Sequence, residues 1–127
     1  MVVQAGALVG VDAHPVWVEV GIGGGLPGFE IVGLPETAVR ESRVRVRAAL
    51  ERLGHDIKTQ KILLNLAPGD LRKSGSCFDL AIAVAVLTAS GACSADLLPD
   101  TLFLGELSLD AELRGVRGVL AQLRAAR

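Results

Sequence analysis

A buried strand, a polar loop and a very apolar helix follow one another between residues 61 and 90. Residues 61–66 have the short apolar pattern of a buried strand, and residues 78–90 are apolar on every side, as expected of a helix enclosed in a core. The loop between them carries charged and polar side chains. Because strand-to-helix turns often hold functional groups on a rigid scaffold, this stretch predicts both a layered structure and the location of a site.

Three strands are predicted before this unit. Val16, Val18 and Val20 alternate with Trp17 and Glu19, which predicts a strand, and the apolar run 5–11 predicts its partner. Residues 12–15 read as the hairpin turn between the two. Residues 29–32 predict a third strand after a glycine-rich loop.

The remaining elements are two helices and one or two strands. Pro35 and Gly54 delimit a helix over 36–53, since proline suits the first turn and glycine the position after the last. Residues 102–109 predict one or two strands, and residues 116–127 predict a helix. The resulting order, β-β-β-α-β-α-β(β)-α, is compatible with α/β layers and with an α+β fold.

Length and charge restrict the possible functions. The 127 residues correspond to one domain, and 13 basic residues nearly cancel 14 acidic ones. The isolated domain is therefore predicted to bind nucleic acid only weakly, because strong binders carry a clear basic excess. We expect a cytoplasmic protein without a membrane partner, since no signal peptide follows Met1 and the apolar run 80–87 is far shorter than the ~20 residues that span a bilayer.

Neither a nucleotide site nor a metal site is predicted. Residues 23–28 match the pattern G-x-G-x-x-G, but a strand pattern follows them where a dinucleotide site needs a helix, so we interpret them as a hairpin loop. No phosphate-binding loop of the form G-x-x-x-x-G-K-[ST] occurs, so this chain is expected to bind no ATP. Cys77 and Cys93 bracket the apolar helix, too far apart for a disulfide.

The polar loop has a catalytic and a structural interpretation. Ser76 or Cys77 is a candidate nucleophile with Lys73 as its base, but a solvated lysine stays protonated and is a poor base. In the structural interpretation Ser76 caps the helix and Asp79 interacts with its first-turn amides.

Other residues of this loop are predicted to be structural as well. Asn65 and Asp70 are expected to bond nearby backbone groups, as these residue types do in turns. Gly75 is expected to adopt a backbone shape that a side chain would hinder.

Basic residues on the first helix and in the loop form the candidate surface for DNA or another partner. The set consists of Arg40, Arg43, Arg45, Arg47, Arg72 and Lys73. The alternative is a solvated surface of paired charges, because Glu36–Arg40 and Arg47–Glu51 have the i,i+4 spacing of helix ion pairs.

Four segments together resemble one family. They are residues 25–35 (GLPGFEIVGLP), residues 41–50 (ESRVRVRAAL), residues 65–80 with the sequence NLAPGDLRK at their start, and residues 105–119 with GELSLD at their start. In this order they are similar to the N-terminal domain of the YifB/ComM family of Mg-chelatase-like AAA+ ATPases.

The resemblance implies a Lon-protease-like domain of the ribosomal S5 domain 2-like class, with a mixed sheet and helices packed on it. It implies that residues 1–127 are one such N-terminal domain, that the AAA+ motor domain with its ATP and Mg lies outside this chain, and that DNA remodelling or branch migration is the activity of the whole. The implied partners are that motor domain, neighbouring subunits of a hexameric ring and, weakly, DNA.

The resemblance also bears on catalysis. Cys77 stands where Lon-type proteases have their serine, and the place of their lysine falls at or near Leu120, so the catalytic pair is absent. We therefore expect no catalytic residue, no bound cofactor and no bound metal in this chain. The alternatives are a Lon-like hydrolase that uses Cys77 or Ser76, and a protein-interaction module unrelated to DNA.

Overall fold

A computed structural model describes residues 1–96 and 98–126. The strands are β1 (Val2–Val9), β2 (Asp12–Gly23), β3 (Gly28–Val32), β4 (Lys61–Ala67), β5 (Glu106–Leu107) and β6 (Leu113–Arg114). The helices are α1 (Thr37–Arg40), α2 (Ser42–Arg52), α3 (Asp79–Ala89) and α4 (Val119–Ala125), with a 3₁₀ turn at Leu98–Asp100.

The main sheet has four strands of mixed direction in the order β1-β2-β4-β3. β1 and β4 both run antiparallel to β2, whereas β3 runs parallel to β4. β5 and β6 form a separate short ribbon. This architecture confirms the predicted mixed sheet with helices packed against it.

The core lies between the inner face of the sheet and helices α2 and α3. Alternate residues of each strand point inward and are buried, among them Val18 on β2 and Leu64 on β4. Val46 and Leu50 of α2 and Ile82 of α3 are buried against them. Since α3 is enclosed by α2, the sheet and β5, its sequence is apolar on every side.

The first hairpin turns earlier than the sequence predicted. Val9 pairs with Asp12, so Gly10 and Val11 form a two-residue turn and residues 12–15 belong to β2. Gly10 adopts a φ of +65°, which glycine tolerates without strain. Pro15 is compatible with a strand here because β4 pairs with β2 only from Trp17 onward, so the proline is not required to donate to that ladder.

The helix predicted over 36–53 is divided at Glu41 into α1 and α2. It ends before Gly54, whose φ of +88° is the left-handed conformation expected there. The predicted i,i+4 ion pairs are wrong within the described residues: Glu36 pairs with Arg72 and Glu51 pairs with Lys58. Loop partners therefore compete successfully with helical neighbours for both carboxylates.

Two further predictions change in detail. The glycine-rich loop is not a hairpin loop, because β4 lies between β2 and β3 in the sheet. It leads into strand β3 rather than a helix, as the sequence indicated.

The last helix begins at Val119, and it packs on the outer face of the sheet, where the buried Gln122 side chain lies directly over Gly6. The part of the chain described contains no helix long and apolar enough to cross a membrane.

Candidate functional site

Arg45 points into the protein rather than toward solvent. Its Nε donates to Oδ2 of Asp79 at 2.7 Å and its Nη2 donates to Oδ1 at 3.1 Å, while a further bond from Nη2 reaches the carbonyl oxygen of Ala38. The hydrogen bond with Asp79 raises the pKa of the guanidinium. Only 17% of the side chain is exposed, so the prediction that Arg45 belongs to a DNA-binding surface is wrong.

Asp79 joins three elements. Besides Arg45, its carboxylate accepts hydrogen bonds from the Ser42 hydroxyl at 2.6 Å and from the backbone N–H of Leu107 at 3.0 Å. The side chain is fully buried. The prediction that Asp79 interacts with the first-turn amides of α3 is wrong, because its oxygens are turned toward α2 and β5. We call Ser42, Arg45 and Asp79 the carboxylate hub.

Lys73 is fully buried, so the prediction of a solvated side chain is wrong. Its Nζ donates to the carbonyl oxygens of Gly33, at 2.7 Å, and of Pro68. Its backbone bonds Leu34 and Glu36, which joins the loop before α1 to the loop after β4. Burial lowers the pKa of Lys73, and the charge of Asp70 acts in the opposite direction. Its enclosed position makes Lys73 a structural clamp rather than a surface contact.

Of the basic residues proposed for the DNA or partner surface, fewer are exposed than the sequence predicted. Arg40 and Arg43 are exposed and form no ion pair or hydrogen bond through their side chains with any described residue. They line a groove of about 150 Å³ beside β3, together with Glu30, Ile31 and Val32. Free guanidinium groups of this kind are available for an external anion.

Arg47 and Arg72 flank this pair differently. Arg47 is half-buried, and its Nε has no hydrogen-bond partner among the described residues. The side chain of Arg72 is 79% exposed, and its Nη1 lies 3.5 Å from Oε1 of Glu36 at the start of α1. Surface pairs of this kind contribute little to stability, so Arg72 is also available to an outside partner.

The polar loop is held by long-range contacts rather than by a helix cap. α3 begins without any side-chain cap, and the Ser76 hydroxyl donates instead to Oε2 of Glu106 at 2.8 Å. The predicted cap at Ser76 is therefore wrong. Gly75 has a φ of +81°, a conformation that side chains disfavour.

The predicted local bonds of the two turn residues are not found. Asn65 lies within β4, and its Nδ2 donates across the sheet to Oε1 of Glu19 at 2.9 Å. This contradicts the prediction that it bonds nearby backbone. Asp70 is exposed, and among the described residues its side chain makes no hydrogen bond.

Cys77, the candidate nucleophile of the hydrolase alternative, lines a cleft of about 370 Å³. The cleft is lined by residues of the polar loop and by Leu8, Glu106, Val116 and Arg117. Burial raises the pKa of the Cys77 thiol to about 11, so the thiol is protonated at neutral pH. Leu120, near the position of the missing lysine, is 65% exposed on α4 and does not line this cleft. The described residues that line the cleft include no histidine or lysine that could act as a base.

No cation site emerges from the described residues, which contain no group of three or more histidine, cysteine, aspartate or glutamate side chains placed to hold a metal. Both cysteines are free, with Cys93 exposed and Cys77 partly buried. The polar groups with the most contacts, Asp79 and Lys73, are thus structural, whereas Arg40 and Arg43 bond to no described residue through their side chains.

Comparison with known proteins assigns the family. A family model described as subunit ChlI of Mg-chelatase matches residues 18–127. The chain belongs to this ChlI family. Among individual proteins, YifB of Escherichia coli K12 is 46% identical to this chain over 125 residues, which cover 98% of this chain and 25% of YifB. The competence protein ComM of Haemophilus influenzae is 44% identical over 125 residues, with the same two shares.

A third relative shows the same extent of similarity. Protein Rv2897c of Mycobacterium tuberculosis is 46% identical over 121 residues, which cover 95% of this chain and 24% of that protein. The chain therefore spans about a quarter of the length of the curated relatives it matches. The resemblance to the YifB/ComM family is confirmed.

Proposed function

We propose that this chain is a non-catalytic domain of a Mg-chelatase-like AAA+ ATPase and that it supports ring assembly and DNA engagement. The observation that carries the DNA part is the pair of unpaired, exposed guanidinium groups of Arg40 and Arg43 beside β3. Arg72 adds a third charge close to the start of α1. In this proposal the cytoplasmic parent protein remodels DNA or promotes branch migration, with ATP and Mg bound outside this chain.

Weak binding follows from the charge of the domain. The net charge of −1 gives no general attraction to phosphates, so each domain contributes only the few contacts made by its exposed arginines. Several copies in a ring would add such contacts through avidity. The motor domain and the neighbouring subunits are the other partners in this proposal.

Salt dependence of DNA binding tests the proposal. Fluorescence anisotropy with a labelled duplex should give a slope of log K against log salt of about −2 to −3, at about 0.9 per phosphate contact. Arg40→Gln/Arg43→Gln should reduce the slope by about 1.8, whereas the matched change Arg114→Gln on β6 should leave it unchanged. An equal loss in both variants, or no measurable binding, would contradict DNA engagement through this surface.

Thiol labelling and a peptidase assay test the non-catalytic part. Burial raises the pKa of the Cys77 thiol to about 11, so at pH 8 Cys77 is almost entirely in the unreactive protonated form. Cys93 is exposed and Cys77 is partly buried, so a thiol reagent should modify Cys93 much faster. Peptide hydrolysis that Cys77→Ala or Ser76→Ala abolishes would establish the hydrolase alternative instead.

A further inference from the structure

A small pocket lies where the end of α4 meets the outer face of the sheet. Its volume is about 140 Å³. Its polar lining consists of Gln4 on β1 and Gln122 on α4, and the other described lining residues are alanine, proline and leucine. We call it the amide pocket. It shares no lining residue with the groove of Arg40 and Arg43 or with the Cys77 cleft.

Gln122 is buried without a hydrogen-bond partner for its side chain. The residue is only 3% exposed, yet its amide bonds to no described residue. A primary amide has two donor hydrogens and an acceptor oxygen, and their burial without partners costs free energy. The described side-chain atoms that are both unpartnered and sealed from solvent belong to Arg47 and Gln60. The amide of Gln122 is therefore still accessible, through the pocket that it lines.

Gly6 provides the space for this amide. Gln122 lies over Gly6 on the outer side of β1, and a Cβ atom at residue 6 would overlap Oε1 of Gln122. Glycine within a strand often marks a place where another group approaches the backbone closely. A side chain at residue 6 would displace the amide, so the glycine is what allows Gln122 to lie at the pocket.

Gln4 brings a second amide to the same pocket. It lies two residues before Gly6 and therefore on the same side of β1. Its backbone carbonyl accepts a hydrogen bond from the N–H of Phe103 at 3.0 Å, whereas its side-chain amide bonds to no described residue. Two unpartnered amides thus line one pocket whose described residues carry no charge.

We propose that the amide pocket binds an uncharged carboxamide group. Such a group presents a donor and an acceptor side by side, and each glutamine amide can supply the complementary acceptor and donor. An ion would lose its hydration without meeting an opposite charge, and a purely apolar ligand would leave both glutamines unpartnered. A stacked nucleobase is disfavoured because no described lining residue is aromatic.

The same chemistry is found in two sources. One is a free small molecule with a carboxamide group, and the other is the side chain of asparagine or glutamine in a polypeptide. The inference is independent of the proposed DNA engagement and of ring assembly, because the pocket contains none of the arginines assigned to DNA. Its test therefore needs neither DNA nor a ring.

Three small probes of similar shape test the chemistry. Propionamide, propionate and butanone end in a carboxamide, a carboxylate and a methyl ketone. In proton–nitrogen correlation NMR spectra, propionamide should shift the side-chain amide signals of Gln4 and Gln122, which are assigned from their loss in Gln4→Met and Gln122→Met. Propionate and butanone should bind at least about tenfold more weakly, because neither offers the paired donor and acceptor.

Two variants locate the binding. Gln122→Met keeps the length of the side chain and removes its amide, so propionamide should bind at least about tenfold more weakly. Gly6→Ala alters no polar group but displaces the Gln122 amide, and it should weaken binding as well. Gln60→Met makes the same change at the third glutamine of the chain, outside the pocket, and is the matched control that should bind normally. Circular dichroism checks that each variant is folded.

A peptide-like probe separates the two sources. N-acetylglutamine methylamide should bind more tightly than propionamide if the ligand is a polypeptide side chain, and more weakly if it is a free small molecule. Trp17, the chain's single tryptophan, pairs with Gln4 across the hairpin, so its emission should change with the same midpoint as the NMR signals. Glutamine signals that stay in place with both carboxamides, equal binding of the three small probes, or normal binding by folded Gln122→Met would overturn the proposal.

Discussion

Arg43 and Arg45 lie two residues apart on α2, and the fold gives them opposite surroundings. Arg45 is held by both carboxylate oxygens of Asp79, whereas the side chain of Arg43 bonds to no described residue and faces solvent. The same residue type is therefore part of the interior in one case and available to a partner in the other. The presence of a buried carboxylate, rather than the arginine itself, determines which role each has.

The carboxylate hub should give the largest effect. Asp79→Ala removes the acceptor for Arg45, Ser42 and the Leu107 N–H at once, and it leaves a partly buried cation without its partner. We expect the free energy of unfolding to fall by about 3–5 kcal/mol, measured by urea denaturation.

A matched control separates this loss from the removal of any aspartate. Asp110→Ala alters an exposed turn residue and should change stability by less than about 0.5 kcal/mol. If both variants unfolded at the same urea concentration, the hub would not be the interior anchor that its geometry indicates.

Lys73 extends the comparison to the polar loop and should give the next effect. Lys73→Ala leaves the carbonyl groups of Gly33 and Pro68 without their donor and opens a cavity. We expect a loss of about 2–4 kcal/mol in unfolding free energy, whereas Arg72→Ala, beside it but exposed, should cost less than about 1 kcal/mol. Equal midpoints in thermal unfolding would mean that Lys73 behaves as a surface residue.

The pKa of Lys73 adds a pH signature to this comparison. The pKa of Lys73 is lowered in the folded state. As the pH approaches the ordinary lysine pKa of about 10.4, the unfolded chain therefore binds more protons than the folded chain does. Burial of the charge therefore penalises the folded state at neutral pH, and this penalty declines as the pH rises into the alkaline range. The stability difference between the unaltered chain and Lys73→Ala should accordingly grow between neutral and alkaline pH.

Local pattern predicted the fold better than it predicted the partners of polar groups. Period-two alternation in β2 and the apolar run of α3 identified their elements, because burial of one face or of a whole helix is recorded in neighbouring residues. Gly54 and Gly91 ended their helices as expected, each with a positive φ. The hairpin was misplaced because Pro15 resembles a turn residue, and only the shorter reach of β4 permits it within a strand.

The partners of the polar residues depend on contacts distant in sequence. Lys73 bonds Gly33, 40 residues away, and Asp79 bonds Arg45, 34 residues away. Asp79 resembled a first-turn helix residue, and nothing beside it in sequence indicates that α2 supplies its cation. One available signal was the position of Arg45 three residues after Ser42, which places both side chains on the side of α2 that faces α3.

Arg43 completes the comparison and should give the smallest effect on stability. Arg43→Met keeps the aliphatic stem and removes a charge that bonds to no described residue, so the unfolding free energy should stay within about 0.5 kcal/mol of the unaltered chain. Arg45→Met should cost about 3 kcal/mol or more, because Asp79 would remain buried without its cation. In DNA binding the order should reverse: Arg43→Met should lower the salt slope by about 0.9, whereas Arg45, turned inward, has no phosphate contact to lose. Measured on folded protein, a salt slope unchanged in Arg43→Met would leave this arginine without a role in DNA binding, and a large loss of stability would show that it is anchored like its neighbour.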